Sequence, residues 1–433
     1  MQTISSSSIL KSFYEYGAPK EHYRVGGEYE RIIVRPMGNA VGYDEPFGIQ
    51  WFLLQFSKRW GWKPKMEGHN IIALSKNGAS ITLEPGGQFE LSGAPHYSLL
   101  ELEKEFSENR SQLQLLCQEA GLIPITAGLT PYADIESIPW MPKGRYVIMR
   151  RYLPERGPLA HYMMKGTASV QCNYDFANEQ DCAKKVALCA GIGPITTAIF
   201  ANSPLYRGRP TGFLSYRGHI WTQTDPDRTG FPPGLRNDFS YERWVNYLLD
   251  VPMMFIYRQQ WIDAKGHTFR TFIEQGIHGH FPTEDDWELH MTSVFPEVRI
   301  KRTIEVRGAD CVSHDLALAF CAFFSGLLYS DRALDAGLEL QAEFCHLHSR
   351  EERFERACRQ GLEGIIGTQT ICAWAEKFYD LAFAGLEEWQ PESTHLLQPL
   401  AQLLEKGQSP AVEQLQRWKQ DPKPQHFLPS LAY

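Results

Sequence analysis

Alternation of charged and apolar residues, repeated in several short segments, constrains this chain more than any other feature. In the segment 26–34 (GGEYERIIV), Glu28 and Glu30 project to one side of an extended strand and Tyr29 to the other, because successive side chains point to opposite faces. In TASVQCNYDF, Gln171, Asn173 and Asp175 share a face opposite Val170, Cys172 and Tyr174. In RIKRTIEVR, Lys301, Thr303, Glu305 and Arg307 oppose Ile300, Ile304 and Val306, and LSYRGHIW reads as a further strand with Ser215, Arg217, His219 and Trp221 on one side. Each polar face taken singly is an ordinary wet face of an antiparallel sheet. Together they are harder to explain as solvent, since two glutamates at i and i+2 repel each other unless something cationic lies between them.

Glu84 and Glu90 flank Pro85-Gly86-Gly87 in ITLEPGGQFELSGAP, where the glycines permit a tight turn that brings both carboxylates toward one site. Glu28, Glu30, Glu84, Glu90, Gln171 and Glu305 would then supply an all-oxygen cage. Hard oxygen donors without Cys or His suit magnesium, which bridges to substrate phosphates. The chemistry implied is phosphoryl transfer, yet the chain has neither a G-x-x-x-x-G-K-[ST] loop nor an H-R-D signature.

Composition narrows the partners. The 43 Lys and Arg against 51 Asp and Glu leave a net charge of −8 with no basic run, so neither nucleic acid nor a membrane surface is expected. No apolar stretch of about 18 residues is present and the first eight residues are polar, so a cytoplasmic protein is expected. The 9 cysteines lack C-x-x-C spacing and sit in apolar runs, as reduced core residues do. Cys345-His346-Leu347-His348 and His278-Gly279-His280 stand alone and read as local structure, not as ligand sets.

Strands are expected at 29–35, 71–74, 80–83, 145–152, 168–176, 213–221 and 298–307, with helices at 99–120, ending at Gly121, and 179–202, closed by Ser203-Pro204. Helices then follow at 315–329, 350–361, 371–386, near 396–405 and at 410–419. The expectation is an α+β protein, one catalytic domain over 1–433, with a sheet-bearing core at 15–311 and a mainly helical part at 312–433 that covers the sheet.

The segments EPGGQFELSGAP, MPKGRYVIMRRY, TASVQCNYDF, TTAIFANSP, GFLSYRGHIWTQTDPDRTG, YLLDVPMMFIYR, FPEVRIKRTIEVRGAD and FFSGLLY, in this order, resemble the plant-type glutamate-cysteine ligase family, shared with many bacteria. The resemblance runs from about Gly26 to Tyr329 and weakens beyond. It implies a glutamine-synthetase-like antiparallel sheet curled into a funnel. The implied enzyme uses ATP and magnesium to join the γ-carboxylate of L-glutamate to the amine of L-cysteine through a γ-glutamyl phosphate, the first step of glutathione biosynthesis, as a monomer or homodimer.

By the same resemblance, Glu28, Glu30, Glu84, Glu90, Gln171 and Glu305 would be metal ligands, and Arg307 would stabilise the moving phosphoryl group beside Glu305. Arg150 and Arg217 would hold the amino-acid substrates, with Thr167 and Ser169 as further contacts and Phe324 as part of an aromatic wall. The stretch 225–237 is the expected lid or nucleotide-side loop, in which Asp225 and Arg228 either face the nucleotide or form a local ion pair. The family's cysteine after S-G-A-P falls near Glu103 here, so a plant-style disulfide switch is not expected, and its F-W before G-L-L-Y is Phe323-Phe324. That last change bears on the acceptor amine, leaving a γ-glutamyl ligase for another amine as the alternative and a non-catalytic paralogue as the remote one.

Overall fold

The computed structural model describes residues 4–432 except 233–234 and 236–238. At its centre is a 9-stranded sheet, whose strands are β1 (Val25–Val34), β2 (Lys63–Glu67), β3 (Asn70–Lys76), β4 (Ala79–Leu83), β5 (Phe89–Ser92), β6 (Ile123–Ile125), β7 (Ser169–Tyr174), β8 (Val298–Ile300) and β9 (Ile304–Asp310). The order across it is β8-β9-β7-β1-β5-β4-β3-β2, with β6 pairing the far end of β1, and every pairing is antiparallel. The sheet is open, not a closed barrel.

The alternation does what a strand's period of two demands. Tyr29, Val170, Cys172, Tyr174, Ile304 and Val306 are buried on one face. There Tyr29 stacks on Phe106 of the helix Leu99–Ala120, with ring centres 5.4 Å apart, and the Tyr174 hydroxyl donates to the Cys321 carbonyl of the helix His314–Tyr329. Ser98 caps the first of these helices, and Gly121, at φ +65°, ends it. The C-terminal part is helical and packs two of its long members, His314–Tyr329 and Ile371–Trp389, against each other behind the sheet.

Four expectations need correction. The segment 145–152 is a helix, Gly144–Tyr152, and 213–221 contains another, Tyr216–Thr222, capped by Ser215. The helix 179–202 is two, Glu179–Gly191 and Gly193–Ile199, bent by 51° where Pro194 cannot donate a backbone hydrogen bond. The strand 298–307 folds back as the β8–β9 hairpin, placing Arg299 opposite Glu305. A further helix, Asp331–His346, ends in the Cys345-His346 pair, and His348 turns the chain at φ +64°. Among the described residues no single helix is long and apolar enough to cross a membrane.

Candidate active site

A cavity with an empty volume of about 690 Å³ opens over the polar face of the sheet. Its floor comes from β1 and β7: Glu30, Ser169 and Gln171 all line it, with Arg307 from β9. Register explains why they meet, for β1 is sandwiched between β5 and β7, with Glu30 opposite Glu90 and Glu28 opposite Gln171. A hydrogen-bonded row crosses the strands. The Ser169 hydroxyl donates to Glu30 at 2.9 Å, the Gln171 amide donates to Ser169 at 3.0 Å, and Arg307 donates to Gln171 and, at 2.7 Å, to Glu305. Arg299 closes the row by gripping both oxygens of Glu305 at 2.7 and 2.8 Å.

Glu84 enters from the turn between β4 and β5. Gly87 there takes φ +87°, and a Cβ on Gly86 would lie 2.1 Å from the Lys165 carbonyl, so the turn packs directly on the helix Ala160–Gly166. Gln88 fixes that contact by donating to the carbonyls of Met164 and Thr167. Thr167 also lines the cavity, although its hydroxyl is given to the Met163 carbonyl at 2.7 Å. Met149, Met163, Met164, Met254 and Phe255 form the apolar part of the wall.

Arg217 and Trp221 lie one helical turn apart on the helix Tyr216–Thr222 and both line the cavity. His219, grouped with them by the strand reading, instead stacks on Phe213 at 4.4 Å. Arg150 is exposed to solvent and does not line the cavity; Arg145, missed from the sequence, does. The two differ because the segment is helical, which turns Arg150 about 140° away from Arg145. Pro142 and Lys143 stand just before the helix, with Lys143 at its N-cap. The Arg145 Nε is buried with no hydrogen-bond partner among the described residues.

Partial burial, then Glu90 and Glu84, push Glu30 up to about 8. Burial, then Glu305 and Glu90, push Glu28 up to about 7, while burial and then Glu84 raise Glu90. Carboxylates that suppress one another's ionisation in this way have the donor chemistry of a site for a hard cation. As the side chains stand, no group of three His, Cys, Asp or Glu among the described residues converges closely enough to hold a metal, so some would have to rotate. Glu305 differs. Burial favours its neutral form, yet Arg299, Lys301 and Arg307 hold it well below the usual carboxylate range. In this structure its oxygens accept from Arg299 and Arg307, so the expected metal ligand Glu305 also anchors the arginines.

Phe324 is fully buried behind the sheet, between Phe320, Phe323 and Tyr174, and forms no wall of the cavity. Asp225 and Arg228 form the local ion pair, at 2.6 Å and completely buried. Arg228 also donates to the carbonyls of Ser293 and Pro252, so the pair braces the Thr292-Ser293 rim instead of facing a nucleotide. The first part of 225–237 is therefore fixed, with Thr229-Gly230 paired to Phe295-Pro296; residues 233–234 and 236–237 of the expected lid lie outside the described residues.

This open antiparallel sheet, with its carboxylates and arginines over one face, has the fold of the glutamine-synthetase-like ligases. In structure the chain is similar to the glutamate–cysteine ligase of Francisella tularensis in complex with AMP, at a TM-score of 0.59 and 14% identity, covering 94% of this chain and 87% of that one. It is also similar to a bifunctional glutathione synthetase from Pasteurella multocida, at a TM-score of 0.53 and 12% identity, covering 95% of this chain and 52% of that longer one. In sequence it is 39% identical to the chloroplastic glutamate–cysteine ligase of Medicago truncatula over 428 residues, 96% of this chain and 82% of the relative. It is 40% identical to that of Arabidopsis thaliana over 409 residues, 92% of this chain and 77% of the relative. Residues 24–426 match glutamate-cysteine ligase family 2, and the chain belongs to that family.

The family match extends through the helical C-terminal part, well beyond Tyr329, where the motifs thin out. The expected cytoplasmic location is overturned by the relatives, which are named chloroplastic.

Proposed function

We propose that this protein forms γ-glutamylcysteine, using ATP to activate the γ-carboxylate of L-glutamate as an acyl phosphate that the amine of L-cysteine then attacks. Family membership carries the reading of an ATP-dependent carboxylate–amine ligase. The observation that supports its location is the convergence of Glu30, Gln171 and Arg307 with Arg145 and Arg217 around one cavity. The γ-carboxylate oxygen attacks the terminal phosphorus of ATP and ADP leaves; the amine nitrogen then attacks the acyl carbon and phosphate leaves.

Arg307, oriented by Gln171 and Glu305, offsets negative charge on the transferring phosphoryl group. Arg145 and Arg217 offer planar guanidiniums to the α-carboxylate of glutamate, a pairing that lysine would not reproduce. The methionines and Phe255 exclude water from the acyl phosphate, which water would otherwise hydrolyse. Glu30, Glu84 and Glu90, with Glu28 and the Gln171 amide oxygen nearby, would hold magnesium, which when bound neutralises phosphate charge.

The test is phosphate release from purified protein given ATP, magnesium and L-glutamate, with L-cysteine, L-2-aminobutyrate and other amines added in turn. Cysteine is expected to give the highest kcat/KM. A different best amine would move the acceptor assignment, and no release with any amine would remove the enzymatic reading.

A further inference from the structure

One buried carboxylate beside the cavity has no part in the reaction as described. Asp310, the last residue of β9, is 1% exposed and lines no wall. Its Oδ2 accepts from the Asn202 backbone N–H at 2.8 Å and the Ser203 hydroxyl at 2.6 Å, and its Oδ1 from the Ser215 hydroxyl at 2.9 Å. Arg217 Nη1 stands 3.9 Å from the same Oδ1. The serines also reach the helix that carries Arg217: the Arg217 N–H donates to Ser203 and the Gly218 N–H to Ser215. Close backbone approach completes the seat, for a Cβ on Gly128 would fall 2.5 Å from Asp310 Cγ.

A carboxylate taken out of water needs donors such as these to be tolerated. Three of its four polar partners, Ser203, Ser215 and Arg217, reach or belong to the start of the helix Tyr216–Thr222, and the Arg217 Nη2 is given to the Arg307 carbonyl at 3.1 Å. The guanidinium thus gives one N–H to the Arg307 carbonyl, has Nη1 within ion-pair distance of Asp310, and lines the cavity.

We propose that Asp310 is a positioning residue for glutamate recognition: it holds the Arg217 guanidinium so that its free edge meets the substrate α-carboxylate. This rests on the assignment of Arg217 to glutamate made above. Asp310 touches no substrate itself, so its removal acts on KM for glutamate and leaves KM for ATP in place.

The experiment measures KM for glutamate, cysteine and ATP in wild type, Asp310→Asn, Arg217→Lys and the double variant. Asp310→Asn is expected to raise KM for glutamate at least 10-fold with KM for ATP within about twofold, and to add nothing in the Arg217→Lys background, since it acts through that arginine. A raised KM in Arg217→Lys with an unchanged KM in Asp310→Asn overturns the proposal alone. An additive double variant, or equal rises for all three substrates, also overturns it. An unchanged glutamate KM in Arg217→Lys overturns the substrate assignment and the proposal with it. If Asp310→Asn does not fold, Ser203→Ala replaces it, with an expected rise of about threefold in KM for glutamate; no rise overturns the proposal.

Discussion

The two faces of the central sheet are built from the same strands and behave as opposites. Behind it, Tyr29, Val170, Cys172 and Tyr174 are sealed against helices. In front, the residues alternating with them, Glu28, Glu30 and Gln171 with Arg307, make a crowded polar surface on which the carboxylates resist ionisation. Burial of apolar area stabilises the first at about 25 cal/mol per Å². Crowded carboxylates, only partly offset by Arg217 and Ser169, destabilise the second, and a chain keeps such a surface where chemistry needs it. Stability and activity should therefore separate by face.

The sharpest break is expected at Arg307→Ala, where phosphate release in the presence of glutamate and cysteine should fall by about 10⁴-fold, as loss of a charge-stabilising arginine does in other phosphoryl transfers. The back face should give the converse. Phe324→Ala removes a fully buried ring and should cost about 4 kcal/mol in denaturant unfolding, while the folded fraction keeps its KM values. Asp225→Asn leaves a buried guanidinium unpaired and should cost about 3 kcal/mol with KM for ATP unchanged; a selective rise in that KM would restore Asp225 to the nucleotide side. The smallest effect is expected at Arg150→Ala, within about twofold in every kinetic constant, because the side chain is in solvent.

The faces of β1 and β7 were legible because strand periodicity is strict: one misplaced residue would turn Glu30 into the core. The helix Leu99–Ala120 was legible from its terminal signals, Ser98 and Gly121. Periodicity failed where short segments satisfied two patterns. Arg217 and Trp221 fall on one side of a strand and also on one side of a helix, so a wrong element still gave a right pair. At 145–152 the resemblance singled out Arg150, whereas the helix there brings Arg145 to the cavity. Lys301-Arg302-Thr303 carries no glycine or asparagine to announce a turn, so the pairing of Arg299 with Glu305 was invisible. Asp310 was out of reach for another reason: its partners, Asn202, Ser203, Ser215 and Arg217, lie about 100 residues away in sequence, a separation of 95 for Ser215.

The most direct test of the division between faces is Glu30→Gln, measured for phosphate release and for thermal unfolding without magnesium. The account predicts release below about one part in 10² of wild type and a Tm no lower than wild type, since a neutral amide relieves the cost of burying charge and then the repulsion from Glu90 and Glu84. A variant that loses activity and stability together, or that stays active, would contradict it.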